Sequence, residues 1–130
     1  MRSVYDAIKA LFTIRPVTAT STATGTGVDT FGYNDAMVAL EVGAVSGTSP
    51  TLDVKIQDSA DNSTFADVTG LTFTQVTASN NSQVLRVSGL NTSTRRRYLR
   101  AVGTIGGTTP SFAFGVEILL GRAFKEPVNS

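Results

Sequence analysis

Apolar residues alternate with polar residues along much of the chain. Leu52, Val54 and Ile56 alternate with charged and amide side chains, and a similar alternation spans residues 36–45. Side chains that recur every second residue lie on one face of a β-strand. The longest run, residues 111–121, puts five apolar side chains on one face: Phe112, Phe114, Val116, Ile118 and Leu120. The alternation therefore predicts strands with one buried face.

Turn-forming residues separate these runs. Clusters of Ser, Asn, Asp, Thr and Gly occupy residues 59–63, 79–82, 91–94 and 106–110. Residues of these types favour turns because they tolerate left-handed backbone or hydrogen-bond it locally. Seven or eight strands at this spacing predict an all-β chain that folds as an antiparallel β-sandwich, jelly-roll-like. No convincing internal repeat is visible in the sequence.

The first residues follow a different period. Ser3 can cap a short helix with Asp6 in the capping-box position. A helical apolar stripe follows: Val4, Ile8, Leu11 and Phe12. We therefore expect an N-terminal helix or arm over residues 1–16. Two interpretations stay open: the helix docks on its own domain, or Val4, Ile8 and Leu11 bind a neighbouring subunit.

Residues 17–121 are predicted to form the β-sandwich domain, and residues 122–130 a C-terminal extension. Pro16 cannot donate to a sheet ladder, so the segment around it suits an edge strand. The threonine- and glycine-rich residues 24–27 lack the lysine and the following helix of a phosphate loop. We therefore predict a flexible linker there.

The composition argues against catalysis and export. The chain has no cysteine and no histidine, which removes thiol chemistry, zinc-thiolate sites and the usual general base. Asp58 and Asp61 lack the spacing of a calcium loop and predict a self-capped turn instead. No apolar run reaches the roughly 20 residues that span a membrane, and no signal peptide is evident. We predict a non-enzymatic protein without cofactor, metal or membrane contact, made in a cytoplasm.

An arginine-rich stretch stands out in a chain of net charge +1. As a strand it would place Arg95, Arg97 and Leu99 on one face, and Arg96, Tyr98 and Arg100 on the other. Nucleic-acid binding needs a one-sided basic surface, usually with an isoelectric point above about 9, whereas the value here is about 8.1. Two interpretations remain: ion pairs with Asp53, Asp67 or Glu117 across strands, or contacts from Arg95, Arg96, Arg97, Tyr98 and Arg100 to a protein partner.

From Leu52 to Gly121 the strand and turn patterns resemble those of a known family. The turn "SADNSTF" at residues 59–65 and the strand "RYLRAV" at residues 97–102 are the most characteristic parts. The chain is similar to the jelly-roll capsid decoration, or cement, proteins of tailed bacteriophages. That resemblance implies a virion protein on the capsid surface, which binds the outer face of a shell of HK97-type major capsid protein and bridges its subunits. It also implies a homo-oligomer, with a dimer favoured.

Two other functions stay open. One is a structural component of a phage tail or fibre. The other is a carbohydrate-binding β-sandwich on the virion surface, for which Phe31 and Tyr33 form the obvious aromatic pair for stacking on sugars.

Overall fold

A computed structural model describes residues 7–91 and 95–123. All of its strand ladders are antiparallel. No helix in this described part is long and apolar enough to span a bilayer. The strands are β1 (Lys9–Ala19), β2 (Ala23–Thr24), β3 (Val28–Asp29), β4 (Tyr33–Ser59), β5 (Ala66–Thr72), β6 (Gln83–Ser88) and β7 (Tyr98–Ala123).

Two long strands form the backbone of the fold. β4 and β7 pair with each other from Tyr33 opposite Ala123 to Ser59 opposite Tyr98. Each of them joins two segments that the sequence predicts as separate strands. The predicted turn at residues 106–110, and the segment opposite it at residues 46–50, are therefore irregularities within long strands, with register shifts between Val42 and Thr51.

The β4–β7 ribbon folds back on itself. Gly103 and Phe114 are eleven positions apart in β7, which in a straight strand would separate them by roughly 36 Å. A Cβ atom at Gly103 would nevertheless lie 3.0 Å from Cζ of Phe114. The ribbon therefore bends between these residues and packs one half of each long strand over the other half.

The result is one continuous antiparallel sheet folded into two layers, which confirms the predicted sandwich-like all-β fold. In the first layer β1 and β6 flank the second half of β7 and the first half of β4. In the second layer β2, β3 and β5 flank the remaining halves. We call these two parts the first sheet and the second sheet.

The core lies between the two sheets, and the predicted inward faces are confirmed. The nine residues with the clearest alternation are all buried: Leu52, Val54, Ile56, Leu71, Phe73, Phe112, Phe114, Val116 and Ile118. They belong to one apolar cluster to which both sheets contribute. Val38, Leu40 and Val42 from the first half of β4 join the same cluster.

The predicted N-terminal helix is wrong over residues 9–12. β1 begins at Lys9 and pairs with the end of β7, with Leu11 opposite Ile118. Pairing with a strand more than a hundred residues away overrides the local helical pattern. β1 is an edge strand with register shifts on both sides of Ile14, as expected around Pro16. Residues 1–6 and most of the predicted extension lie outside the described residues.

Residues 23–29 are held more firmly than the predicted flexible linker. The amide of Gly25 donates to Ala101 O, and the amide of Thr26 donates to Thr13 O. The hydroxyl of the buried Thr13 in turn donates to Thr26 O and accepts from the amide of Ala101. These bonds connect β1 of the first sheet to β7 of the second sheet.

Candidate protein-contact surface at the arginine-rich end

The arginine-rich stretch lies where β7 begins, at one end of the sandwich. Leu99 and Ala101 are fully buried, so the face that they share is the core face. Tyr98 and Arg100 therefore point outward. Arg95, Arg96 and Arg97 precede the strand, which begins at Tyr98, so strand alternation does not place their side chains.

Arg96 is bound to Asp58 at the end of β4. Its Nε donates to Oδ1 of Asp58 over 2.8 Å, and its guanidinium also donates to the Asp58 carbonyl over 2.9 Å. The backbone amide of Arg96 donates to Oδ2 over 3.2 Å. Asp58 is buried, so these bonds compensate a carboxylate that is largely removed from water. Arg96 therefore attaches the loop before β7 to β4.

Arg97 forms a two-pronged ion pair with Asp29 of β3. Its Nε and Nη2 donate to the two carboxylate oxygens over 2.8 and 2.7 Å. The hydrogen bond from Arg97 lowers the pKa of the Asp29 carboxyl, with a smaller contribution from the amide of Phe31. The same pairing raises the pKa of Arg97. The guanidinium also lies 5.0 Å from the ring centre of Phe31 and 5.2 Å from that of Tyr98.

Arg100 completes a second arginine–aromatic stack. Its guanidinium carbon lies 3.9 Å from the ring centre of Phe65, and its Nε donates to Oε1 of Gln57 over 2.9 Å. Contacts of a guanidinium with an aromatic face are worth roughly 0.5–2 kcal/mol. Phe65 packs beside Gly27, where a Cβ atom would come within 3.0 Å of its ring. The Phe65 ring therefore lies against both Arg100 and Gly27.

These groups form one surface, which we call the arginine-rich end: Asp29, Phe31, Phe65, Arg96, Arg97, Tyr98 and Arg100. Phe31 is its most exposed apolar member, with 62% of its surface accessible to solvent. Arginine and aromatic side chains held in place by neighbours are the composition typical of energetically important contact residues. Two of its three arginines are paired with carboxylates, Arg96 with Asp58 and Arg97 with Asp29.

The predicted ion pairs exist within the chain, but with other carboxylates. Sequence analysis proposes Asp53, Asp67 and Glu117 as partners. In the structure, Asp67 accepts hydrogen bonds from Lys55 and Gln57, and Asp53 accepts from Gln75. The carboxylates that pair with the arginines are Asp29 and Asp58. Asp29 lies in β3 and Asp58 at the end of β4, and both strands pair with the start of β7.

The remaining predicted contact residues are not part of this surface. Leu11 packs against the core, in keeping with its place in β1. Ile8 lies on the outer face of the first sheet, where it lines a depression with Met37 and Leu119. Arg95 is half-buried in the loop before β7, and Val4 lies outside the described residues.

Sequence analysis misses Asp29 and Phe65 as members of the arginine-rich end. The sequence offers one local indication for Asp29, since an Asp before a turn often forms an Asx turn. In the structure it does so, because the amide of Phe31 donates to the Asp29 side chain.

Tyr33 is half-buried and packs against the core, and burial raises its pKa. The expected aromatic pair of Phe31 and Tyr33 therefore does not form an exposed stacking platform.

The predicted self-capped turn is confirmed for Asp61 but is wrong for Asp58, whose carboxylate binds Arg96. Oδ1 of Asp61 accepts the amides of Ser63 and Thr64 and the hydroxyl of Ser59. Within residues 7–91 and 95–123, no three acidic side chains are grouped closely enough to hold a metal ion. Asp61 therefore stabilises the backbone of this turn.

Comparison with known proteins identifies the fold. No family model and no curated protein matches the chain. Among solved structures it is similar to the PBSX exported protein XepA, with a TM-score of 0.59 and 15% identity over 93% of this chain. It spans 39% of the length of XepA.

Two weaker likenesses have TM-scores below 0.5. The SPBc2 prophage-derived protein YomS has a TM-score of 0.48 and 13% identity, over 87% of this chain and 91% of that one. A structure of infectious bursal disease virus, Gx strain, has a TM-score of 0.49 and 9% identity, over 87% of this chain and 31% of that one. At these identities, the likeness to XepA shows a shared all-β fold.

Proposed function

We propose that this chain is a non-enzymatic virion structural protein of a tailed phage, which binds the outer face of the capsid and bridges major capsid protein subunits. The observation that carries the proposal is the arrangement around Arg97. Asp29 holds its guanidinium in a fixed orientation, and the guanidinium supports the exposed ring of Phe31. A preorganised aromatic group loses little conformational freedom on binding, which favours affinity.

Two further points support a role in the virion. The strand and turn pattern from Leu52 to Gly121 resembles that of capsid decoration proteins. The fold is also that of XepA, whose name describes it as an exported protein, so this fold suits a protein that works outside a cytoplasm.

The mechanism is mass action. A protein that binds the assembled shell, but not its separated subunits, shifts the equilibrium toward the shell. Many copies on a symmetric lattice add their contributions, even where each contact is modest. A homodimer would carry two copies of the contact surface. Once the first copy has bound, the second is held near the lattice, which strengthens the attachment of the whole unit.

In this account the arginines serve protein contacts. Arg97 and Arg100 present their aromatic neighbours, and the exposed parts of their guanidinium groups are available to acidic groups of the capsid. Breaking a partly desolvated charge contact at an interface costs about 2–5 kcal/mol, compared with about 0–1 kcal/mol for an exposed pair. Attachment therefore depends on these groups more than folding does.

The test uses capsids of the encoding phage that were assembled without this protein. Wild-type protein should sediment with the capsids and raise the temperature at which they rupture. Phe31→Ser should fold normally, because the ring is exposed, and should bind at least about tenfold more weakly. Val84→Ser is the matched control, since Val84 is 60% exposed on the outer face of the first sheet. Equal binding by Phe31→Ser and the wild type would overturn the proposed contact.

A further inference from the structure

A groove crosses the outer face of the first sheet, away from the arginine-rich end. It has a volume of about 600 Å³ and runs over β7 between β1 and β4. Its walls combine apolar side chains with two carboxylates: Phe12, Pro16, Val17, Glu41 and Glu117.

The apolar wall is unusually open to solvent. Phe12 is 44% exposed and Val17 is 45% exposed. Both belong to edge strand β1, whose register shifts on either side of Ile14 interrupt its regular pairing with β7. An exposed aromatic residue beside an exposed valine and a proline offers apolar area that a partner can bury.

The two carboxylates lie close to each other on the same face of the first sheet. Glu117 is opposite Ala39 and Glu41 is opposite Gly115 in the β4–β7 ladder, so they are diagonal neighbours on one face. Diagonal positions of this kind are roughly 7–8 Å apart. Within the described residues, neither side chain has an ion-pair or hydrogen-bond partner.

Among the residues that the structure describes, the other carboxylates accept hydrogen bonds or pair with a cation, which sets this pair apart. Asp35 pairs with Arg86, and Asp67 pairs with Lys55. Two neighbouring negative charges beside apolar side chains create a position where a cation is favoured electrostatically. The groove is therefore complementary to a cationic group with apolar neighbours.

We propose that this groove binds an extended segment of another protein, in which a lysine or arginine lies between two apolar residues. In an extended segment, side chains on one side recur every second residue, at about 6.4–6.8 Å. A cation placed over Glu41 and Glu117 then puts the side chains two positions before and after it near the apolar wall. The matching pattern is apolar–any–Lys or Arg–any–apolar.

The groove is a second contact surface, independent of the arginine-rich end. It lies on the first sheet, whereas Arg97 and its partners connect β3 to the start of β7. A protein that bridges two capsid subunits needs two such surfaces. The inference stands without the proposed function, because it depends only on the chemistry of the groove.

The test is nuclear magnetic resonance titration of the isotope-labelled full chain. The probe is the peptide acetyl-Val-Thr-Lys-Thr-Val-amide, with acetyl-Val-Thr-Glu-Thr-Val-amide as the charge-reversed control. The lysine peptide should shift the amide signals of Phe12, Val17, Glu41 and Glu117, and the glutamate peptide should not. The double variant Glu41→Gln/Glu117→Gln should bind the lysine peptide at least about tenfold more weakly.

A matched double variant separates the groove from general charge effects. Asp53→Asn/Asp67→Asn removes the same charge from the second sheet and should bind like the wild type. Shifts that persist in Glu41→Gln/Glu117→Gln, or that cluster elsewhere, would overturn the proposal. Absence of peptide shifts, together with self-association that is lost in the same variant, would assign the groove to a second copy and also overturn it.

Discussion

Gly47 and Gly107 occupy equivalent positions in the two long strands, and each packs against the backbone of the other strand. A Cβ atom at Gly47 would lie 2.7 Å from Thr109 O, and one at Gly107 would lie 2.7 Å from Ser49 O. Their φ angles are +107° and +113°. Each begins a short matching sequence, Gly-Thr-Ser-Pro at 47–50 and Gly-Thr-Thr-Pro at 107–110. This pair of segments forms the corner at which the ribbon folds back.

Replacing either corner glycine with alanine should destabilise the fold. Positive φ costs a non-glycine residue about 1–3 kcal/mol, and the close backbone contact adds to that cost. Chemical denaturation of Gly47→Ala and Gly107→Ala measures the loss. Gly32→Ala is the control, because Gly32 also has positive φ but no atom within 4 Å of its Cβ position. Equal losses for all three variants would contradict a packed corner.

The alternation of apolar residues predicts which side of each strand is buried, but not where a strand bends. The buried face of one strand is evident within five residues, from the alternation of Leu52, Val54 and Ile56 with polar residues. The fold-back at the corner instead depends on backbone angles at Gly47 and Gly107, and on contacts between two segments sixty residues apart. The match between these segments, with three of four residues identical, is too short to be recognised as a repeat without the ladder that aligns them.

The partners of the arginines are hidden from the sequence for a similar reason. Arg97 and Asp29 are 68 positions apart, and they meet because β3 pairs with the start of β7. The N-terminal pattern instead predicts a helix where the structure has a strand over residues 9–12. Ile8, Leu11 and Phe12 fit a helical stripe, but pairing with β7 turns Leu11 inward and Phe12 outward.

Thr13→Val should lower stability by about 1–3 kcal/mol. The substitution keeps the shape of the side chain but removes the hydroxyl that accepts the Ala101 amide and donates to Thr26 O. A buried amide left without its acceptor accounts for the cost. Thermal melting compares this variant with Thr18→Val, whose hydroxyl is exposed on the same strand. A melting temperature equal to that of the control would show that the bond between the two sheets contributes little.

Acid should weaken the fold through Asp29. Its pKa is lowered in the folded state, chiefly by the hydrogen bond from Arg97. A carboxyl whose folded pKa lies below its unfolded value of about 4 stabilises the fold above that value, and the contribution disappears as pH falls through the folded pKa. The stability difference between wild type and Asp29→Asn should therefore be largest near pH 7 and shrink below pH of about 4.

Denaturation at a series of pH values measures this convergence. Arg97→Gln removes the other half of the pair and should converge with the wild type over the same range. A difference that stays constant from neutral to acidic pH would mean that the Asp29–Arg97 pair does not carry the effect.

Two N-terminal deletions separate strand pairing from subunit contact. Removing residues 2–12 takes away Lys9–Phe12, which pair with β7, and Leu11, which packs on the core. We expect that deletion to cost about 2–5 kcal/mol. Removing residues 2–6 leaves β1 whole and should preserve the melting temperature, while weakening self-association or capsid attachment in sedimentation experiments. Unfolding of the shorter deletion would instead assign residues 2–6 to the fold of the domain.

We propose that this domain decorates a capsid through its arginine-rich end. Electron cryomicroscopy of the intact virion tests it most directly. The account predicts density for the two-layered domain on the outer face of the shell, spanning neighbouring major capsid protein subunits, with Phe31 and Arg97 turned toward the capsid. Density for the domain in the tail or its fibres, or on the shell with the arginine-rich end facing solvent, would contradict the account.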